Sequence, residues 1–267
     1  MRAIWVIFVK ELKAYFLSPV AYIVLTGFAL LSGWLFYQLL ERFIRITTIQ
    51  QGYMVGGQII REWTLADDLM IPLYKNLSVL FIIMIPAITM RLFAEEKKLK
   101  TEELLFTSPL RTSHILLGKY LASVVLISVL LIPVAIFPAL IYHYGSQPDM
   151  GPILGGYLGL FLLGFVLAAM GIFTSSLTEN QIVAFIFCAV LEMFFFTIGL
   201  AAGTVGRIRI FSVPIDFGRV IWELSLYEHF DSFTTGLIGL SDIFYFLSLI
   251  IFFLFVTRYS AASSRVG

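Results

Sequence analysis

Apolar residues run along this chain in six long stretches, and charged residues fall almost wholly between them. Ser18–Leu40 holds no charged residue. Its 23 residues would rise about 34 Å as a helix, enough to cross the hydrocarbon core of a bilayer with some tilt. The second stretch centres on Asn76–Met90, with Lys75 and Arg91 at its ends, where both can snorkel outward. The third is Tyr120–Tyr142, with Pro133 and Pro138 as expected kinks. Gly151–Leu177, Ile182–Gly203 and Leu237–Thr257 complete the set. The pattern predicts an all-α integral membrane protein with six transmembrane helices, forming one domain over residues 1–267.

Four other segments are expected around the spans. Residues 1–17 read as an amphipathic helix in the interface. Arg2, Lys10 and Lys13 share an arc of roughly 80°, Trp5, Phe8, Leu12 and Phe16 lie elsewhere, and Glu11 spoils the pattern. Residues 41–70 read as an outer loop, in which Thr64-Leu65-Ala66-Asp67 can cap a helix leading into span two. Residues 91–119 form a substantial inner loop. Residues 204–236, with mixed charge and aromatics, either lie in the interface or dip back as a re-entrant hairpin. Residues 258–267 are a short tail.

Composition agrees with the pattern. Sixty per cent of the residues are hydrophobic and 13% are charged, about half the charge of a typical soluble chain, which leaves too little polar surface to cover a soluble fold. The net charge of +1 offers nothing to nucleic acid. The distribution of Lys and Arg says more. One side collects Arg2, Lys10, Lys13, Arg91, Lys97, Lys98, Lys100, Arg111, Lys119, Arg258 and Arg265; the other has Arg42, Arg45, Arg61, Lys75, Arg207, Arg209 and Arg219. The excess puts both termini in the cytoplasm. The N-terminus does not read as a secretory signal, and the one cysteine, Cys188, excludes an internal disulfide.

Signatures of catalysis are missing. No phosphate-binding G-x-x-x-x-G-K-[ST] loop occurs: Gly118-Lys119 is followed by Tyr120, and Ser113 stands where the first glycine belongs. His114, His143 and His229 lack metal-ligand spacing, and no G-x-S-x-G elbow occurs. The expectation is a non-catalytic chain without cofactor. Any ATP and Mg would be bound by another subunit.

The inner loop carries the strongest local signal. Thr101 is a good N-cap, Glu102 and Glu103 suit the first turn, and Pro109 ends the helix near Thr107. Leu104, Leu105 and Phe106 would then be available to a partner. The plain alternative is a solvated charged loop with a capped helix of no special role.

Glu95, Glu96, Thr101, Glu103, Leu104, Leu105 and Pro109 resemble the E-E-x-x-x-G-T-x-E-x-L-L-x-x-P loop of type-2 ABC exporter (ABC-2) permeases, with Lys100 in place of the usual glycine. Lys10-Glu11 with Ser18-Pro19 resembles that family's amphipathic elbow. The stretches from Asn76-Leu77-Ser78 through Arg91–Glu96, and from His229–Phe233 through Tyr245-Phe246, resemble most the gliding-motility-associated permeases and those of nitrous-oxide-reductase maturation. The resemblance implies a bacterial inner-membrane permease subunit that pairs with a second copy or a paralogue. Each copy would rest on a cytoplasmic ABC ATPase through a coupling helix at Thr101–Thr107, with Glu95, Glu96, Glu102, Glu103, Leu104, Leu105, Phe106 and Pro109 around it. A large extracytoplasmic subunit is also implied. The work done would be export, or mechanical transmission to that outer partner without moving a solute.

Three further features are singled out. Glu192 lies midway along span five, where an ionisable group costs roughly 3 kcal/mol and must face protein or water. It is either a polar lining or proton-sensitive switch, or a protonated carboxyl bonded to a neighbouring helix. Gly155/Gly159 and Gly199/Gly203 allow close helix approach, the first within the chain and the second, by resemblance, near a dimer interface. Thr178–Gln181 reads as a capping box between spans four and five.

Overall fold

A computed structural model describes residues 2–52, 64–101, 111–144, 148–202, 207–210 and 213–263. In chain order the elements are α1 (Arg2–Leu17), α2 (Pro19–Gly52), a π-helical turn (Ala66–Met70) leading into α3 (Ile71–Thr89), α4 (Arg91–Lys98), α5 (Thr112–Tyr144), α6 (Met150–Leu177) and α7 (Gln181–Thr197). A 3₁₀ turn (Ile198–Ala201) follows, then strands β1 (Arg207–Ile210) and β2 (Val213–Asp216), α8 (Phe217–Glu223), α9 (Leu226–Thr234) and α10 (Leu240–Ser263).

Among the described residues six helical stretches are long and apolar enough to cross a membrane: Pro19–Thr48, Ala66–Lys98, Thr112–Tyr144, Met150–Leu177, Gln181–Ala201 and Leu240–Ala261. The six-span expectation therefore stands. Their alternation puts α1, α4 and the end of α10 on one side of the bundle, here the α1 side, and β1–β2, α8 and α9 on the far side.

Several boundaries differ from the sequence reading. The expected loop at 41–70 is helical as far as Gly52, because no Gly or Pro breaks the run from Glu41 to Gln51. The expected loop at 91–119 is largely helix: α4 follows α3 after one residue, and α5 begins at Thr112. Lys119 is thus two turns inside a helix. On the far side the all-α expectation meets a small exception, an antiparallel hairpin pairing Arg207 with Asp216 and Ile210 with Val213.

The core lies along α3 and α6, the two most buried spans. Small residues on α6 set its packing. Gly156 faces the Tyr74 ring, whose hydroxyl donates to Ile153 O at 2.8 Å. Gly155 and Gly159 receive α9: an added Cβ would meet Phe233 O at 2.5 Å from Gly155, and Phe233 Cβ at 2.7 Å from Gly159. This G-x-x-x-G pair thus serves contact within the chain, as expected of it. Gly236, at φ 77°, closes α9 in the left-handed conformation while Gly236 N–H donates to Phe233 O and Leu237 N–H to Ser232 O. Leu226, Phe230 and Phe233 form the buried face of α9, and Lys75 on α3 pairs with Asp231 at 2.6 Å.

Caps hold two of the joints. Thr64 Oγ1 accepts from Asp67 N–H at 3.0 Å, and Asp68 Oδ2 accepts from Thr64 N–H at 3.1 Å, so the cap predicted there forms. Between α6 and α7 the cap is Asn180, whose Oδ1 accepts from Ile182 N–H at 2.9 Å; Thr178, read as the start of a capping box, instead accepts from Asn180 N–H.

Gly159→Leu should push α9 off α6. The expected cost is about 1–3 kcal/mol of stability, as for other overpacked sites. Thermal unfolding of the purified protein checks it; an unchanged midpoint would contradict the docking of α9 on these glycines.

Candidate functional site

α1 buries a stripe one residue wide, Ile7, Glu11 and Tyr15, at successive helical turns. That stripe lies along α5. Gly118 permits the approach, since an added Cβ would stand 2.8 Å from Ile7 Cγ2. The next residue, Lys119, is buried, with 1% of its side chain exposed. Its Nζ donates to Glu11 Oε1 at 2.9 Å and to Leu92 O at 2.6 Å, and it pairs with Glu96 Oε2 at 2.9 Å. The three ammonium hydrogens thus have three acceptors. Lys10 completes the group by donating to Glu96 Oε1 at 3.1 Å. Two cations and two carboxylates cancel, which is how a buried lysine is tolerated. Burial lowers the pKa of Lys10, but the Glu96 and Glu11 carboxylates outweigh it and leave the ammonium above its ordinary value.

This cluster ties α1, α4 and α5 together. Arg91 adds a second tie: Nη2 donates to Ala14 O at 3.3 Å, near the C-terminal end of α1, while the guanidinium stands 4.6 Å from the Tyr15 ring centre. Tyr15 donates to Ile88 O at 3.3 Å, and burial pushes its hydroxyl pKa up.

An eight-residue helix such as α4 has little stability by itself. It is held from its other face by α6. Ser175 Oγ accepts from Phe93 N–H at 3.0 Å and from Ala94 N–H at 3.1 Å, satisfying donors that the first turn of a helix leaves open, and donates to Met90 O at 2.8 Å. Lys97 Nζ donates to Ser176 O at 2.7 Å. The helix ends in a Schellman turn: Thr101 N–H donates to Glu96 O and Lys100 N–H to Lys97 O. Lys100 occupies the left-handed position, φ 55°, that glycine fills most easily. The left-handed turn before Thr101 thus forms with a lysine in the place the related loops give to glycine. An open cleft of about 470 Å³ lies between α1 and α4, with Glu95, Glu96, Leu99, Thr101 and Lys119 among its walls.

Of the residues singled out in the sequence, Glu96 is in the cluster, and exposed Glu95 and half-buried Thr101 border the cleft. Glu102, Glu103, Leu104, Leu105, Phe106 and Pro109, with the helix expected on them, lie outside the described residues, as does Gly203. Gly199 is buried against its own chain; an added Cβ would stand 2.7 Å from Ser225 Oγ. Glu192 is fully buried where α7 meets α3 and α6, and its one hydrogen-bond partner, Cys188 at 3.1 Å, is on its own helix rather than on a neighbour.

Two parts of this arrangement were not foreseen. Glu11, a blemish in the amphipathic pattern, and Lys119, a loop charge, form the core of the cluster. On the far side, His229 Nδ1 lies 2.7 Å from Asp242 Oδ1 and its ring stacks on Tyr245 at 3.9 Å, fastening α9 to α10. A His and an Asp flanking a turn were the only available sign. Among the described residues no group of side chains suits a metal ion.

Residues 67–222 match the family described as ABC-2 family transporter protein. The match covers more than half of the 267 residues, and the chain belongs to that family. It is a membrane permease subunit of an ABC-2 transporter, and membrane domains of this kind are typically non-catalytic. Comparison with curated proteins found no match. The matched stretch runs from the π-helical turn to α8, so it includes α4 and Lys119 but not α1.

Lys119→Met would leave Glu11 and Glu96 short of a cation. A loss of about 3–5 kcal/mol is expected, most of it restored when Glu11→Gln and Glu96→Gln are added. Denaturation in detergent decides between this and a cluster without energetic weight, in which the single variant would unfold like the parent. Lys10 gives a pH signature. Its folded pKa is raised, so its contribution is complete below the unfolded value of roughly 10.4 and is lost as pH rises through the higher folded value. Lys10→Met should flatten the alkaline fall in stability, and an unaltered fall would contradict the pairing.

Proposed function

We propose that a separate cytoplasmic ABC ATPase subunit drives this permease through the α1 side of the bundle. The observation that carries the reading is the Lys119–Glu11–Glu96 cluster. It links α4, whose end at Thr101 opens into the segment that resembles a coupling helix, to the base of α5 and to α1. A push on residues 101–107 would reach α4 first. The ion pairs would carry it to α1 and α5, and Ser175 would carry it to α6. The orientation with both termini in the cytoplasm follows from the excess of Lys and Arg on the α1 side. In this reading α1 is the amphipathic elbow, with exposed Trp5, Val6 and Leu17 facing lipid.

The active unit would be a pair of permease subunits, either two copies or a copy and a paralogue, in a bacterial inner membrane. The proposed branch is that of the gliding-motility and nitrous-oxide-reductase-maturation permeases, with a large extracytoplasmic subunit on the far side. Two kinds of output fit. Export is the first. Mechanical transmission is the second, and the far side favours it: α9 is locked to α3 by Lys75–Asp231 and to α10 by His229–Asp242, so motion of the spans would be passed to α8–α9 as a block.

Thr101→Pro and Glu103→Lys should each cut permease-stimulated ATP hydrolysis several-fold in the reconstituted complex while insertion stays normal. Unchanged stimulation would remove the coupling assignment. Reporter fusions after Ser108 and after Gly145 test the orientation: a cytoplasmic signal from the second would reverse it.

A further inference from the structure

We propose that Glu192, with the Cys188 thiol and the hydroxyls of Thr89 and Thr174, forms an intramembrane proton-binding site whose bound proton docks α7 onto α3 and α6. The hydrogens in the cluster can be assigned one by one. Thr89 Oγ1–H is donated to Ile85 O at 3.0 Å, and Thr174 Oγ1–H to Gly171 O at 3.0 Å. Both hydroxyl oxygens keep lone pairs within reach of the Cys188 thiol. The thiol has a single hydrogen. If Glu192 carries a proton on Oε1, that proton goes to Cys188 Sγ and the thiol hydrogen goes to a threonine oxygen. Every donor is then used, and only the acceptor Oε2 is left without a partner.

If Glu192 is ionised, the thiol hydrogen must turn to Oε1, and Oε2 bears charge with neither donor nor cation beside it. A fully buried carboxylate in that state is far less stable than the acid.

Several other titratable groups on the elements packed against α7 are engaged elsewhere. On α3, Tyr74 donates to Ile153 O and Lys75 pairs with Asp231 of α9. On α6, Tyr157 donates to Leu131 O; on α4, Lys97 donates to Ser176 O and Glu96 serves Lys10 and Lys119. On α9, His229 is held by Asp242.

The position of the site matters. Thr89 presses on Gly171, where no Cβ would fit, and the next residue, Met90, is the one whose carbonyl Ser175 holds. Loss of the proton would therefore loosen α7 beside the joint that carries α4. The docked state holds one more proton than a state in which Glu192 reaches water. Docking thus weakens as pH rises, by up to about tenfold per pH unit.

The test uses the full chain in lipid nanodiscs. Infrared spectra at neutral pH should show the C=O stretch of a protonated carboxylic acid, absent from Glu192→Gln. Cys188, the one cysteine, reports opening through a membrane-permeant maleimide. Labelling of the parent, divided by that of Glu192→Gln at the same pH, should climb about tenfold per unit on the alkaline side. Dividing by the variant removes the thiol's own ionisation. Equal labelling at every pH would overturn the proposal, and so would a parent spectrum without the acid band. Should the variant fail to fold, the parent's band alone decides.

Discussion

A lysine ammonium buried beside two carboxylates, 1% exposed, is the constraint that organises the α1 side of this molecule. A buried charge must be matched in both number and direction, since an unpaired member costs several kcal/mol. Lys119 therefore dictates where α1 lies, by way of Glu11, and where α4 lies, by way of Glu96 and the Leu92 carbonyl. Neither helix is positioned by apolar burial alone. α4 is too short to persist unaided, and α1 leaves Trp5 and Leu17 exposed. The matched charges make three separate segments into one block, and Ser175 fastens that block to the central helix α6.

This arrangement gives membership of the ABC-2 family a physical form. A permease moved from outside the membrane needs a rigid place where force enters and a joint across which it spreads. In the proposed function the α1–α4–α5 block would meet the first need, and the break at Met90, spanned by Ser175, the second. The far side is built on the same plan with different chemistry: glycines on α6 seat α9, the Lys75–Asp231 ion pair fixes α9 to α3, and the His229–Asp242 hydrogen bond fixes it to α10. Glu192 lies between the two ends, beside the joint.

Much of the fold is legible in the sequence because a bilayer leaves few solutions. Six apolar runs of sufficient length, the Thr64 cap and the Gly155/Gly159 stripe all follow from local rules. The hidden part is long-range. Glu11 and Lys119 are 108 residues apart, and Lys119 and Glu96 meet only because α1, α4 and α5 converge at one end of the bundle. From the sequence alone, Glu11 is an imperfection in an amphipathic helix and Lys119 a unit in a charge count. The same limit applies to Glu192. Its depth follows from its place in the run, and Cys188 stands one helical turn before it, but which side chains of α3 and α6 face the pair depends on helix rotation, which no local pattern fixes. Lys100 shows the converse: a residue at odds with the glycine of related loops still adopts the left-handed turn, because two backbone hydrogen bonds require it.

The central claim is that α1 and α4 move as one body when the permease is driven. Pulsed electron spin resonance tests it directly, with spin labels at the exposed positions Trp5 on α1, Leu99 at the end of α4 and Tyr259 on α10. In the complex reconstituted with the proposed ATPase subunit, the Trp5–Leu99 distance should hold constant through the ATP cycle while the Leu99–Tyr259 distance changes. A Trp5–Leu99 distance that changes with nucleotide would contradict the account.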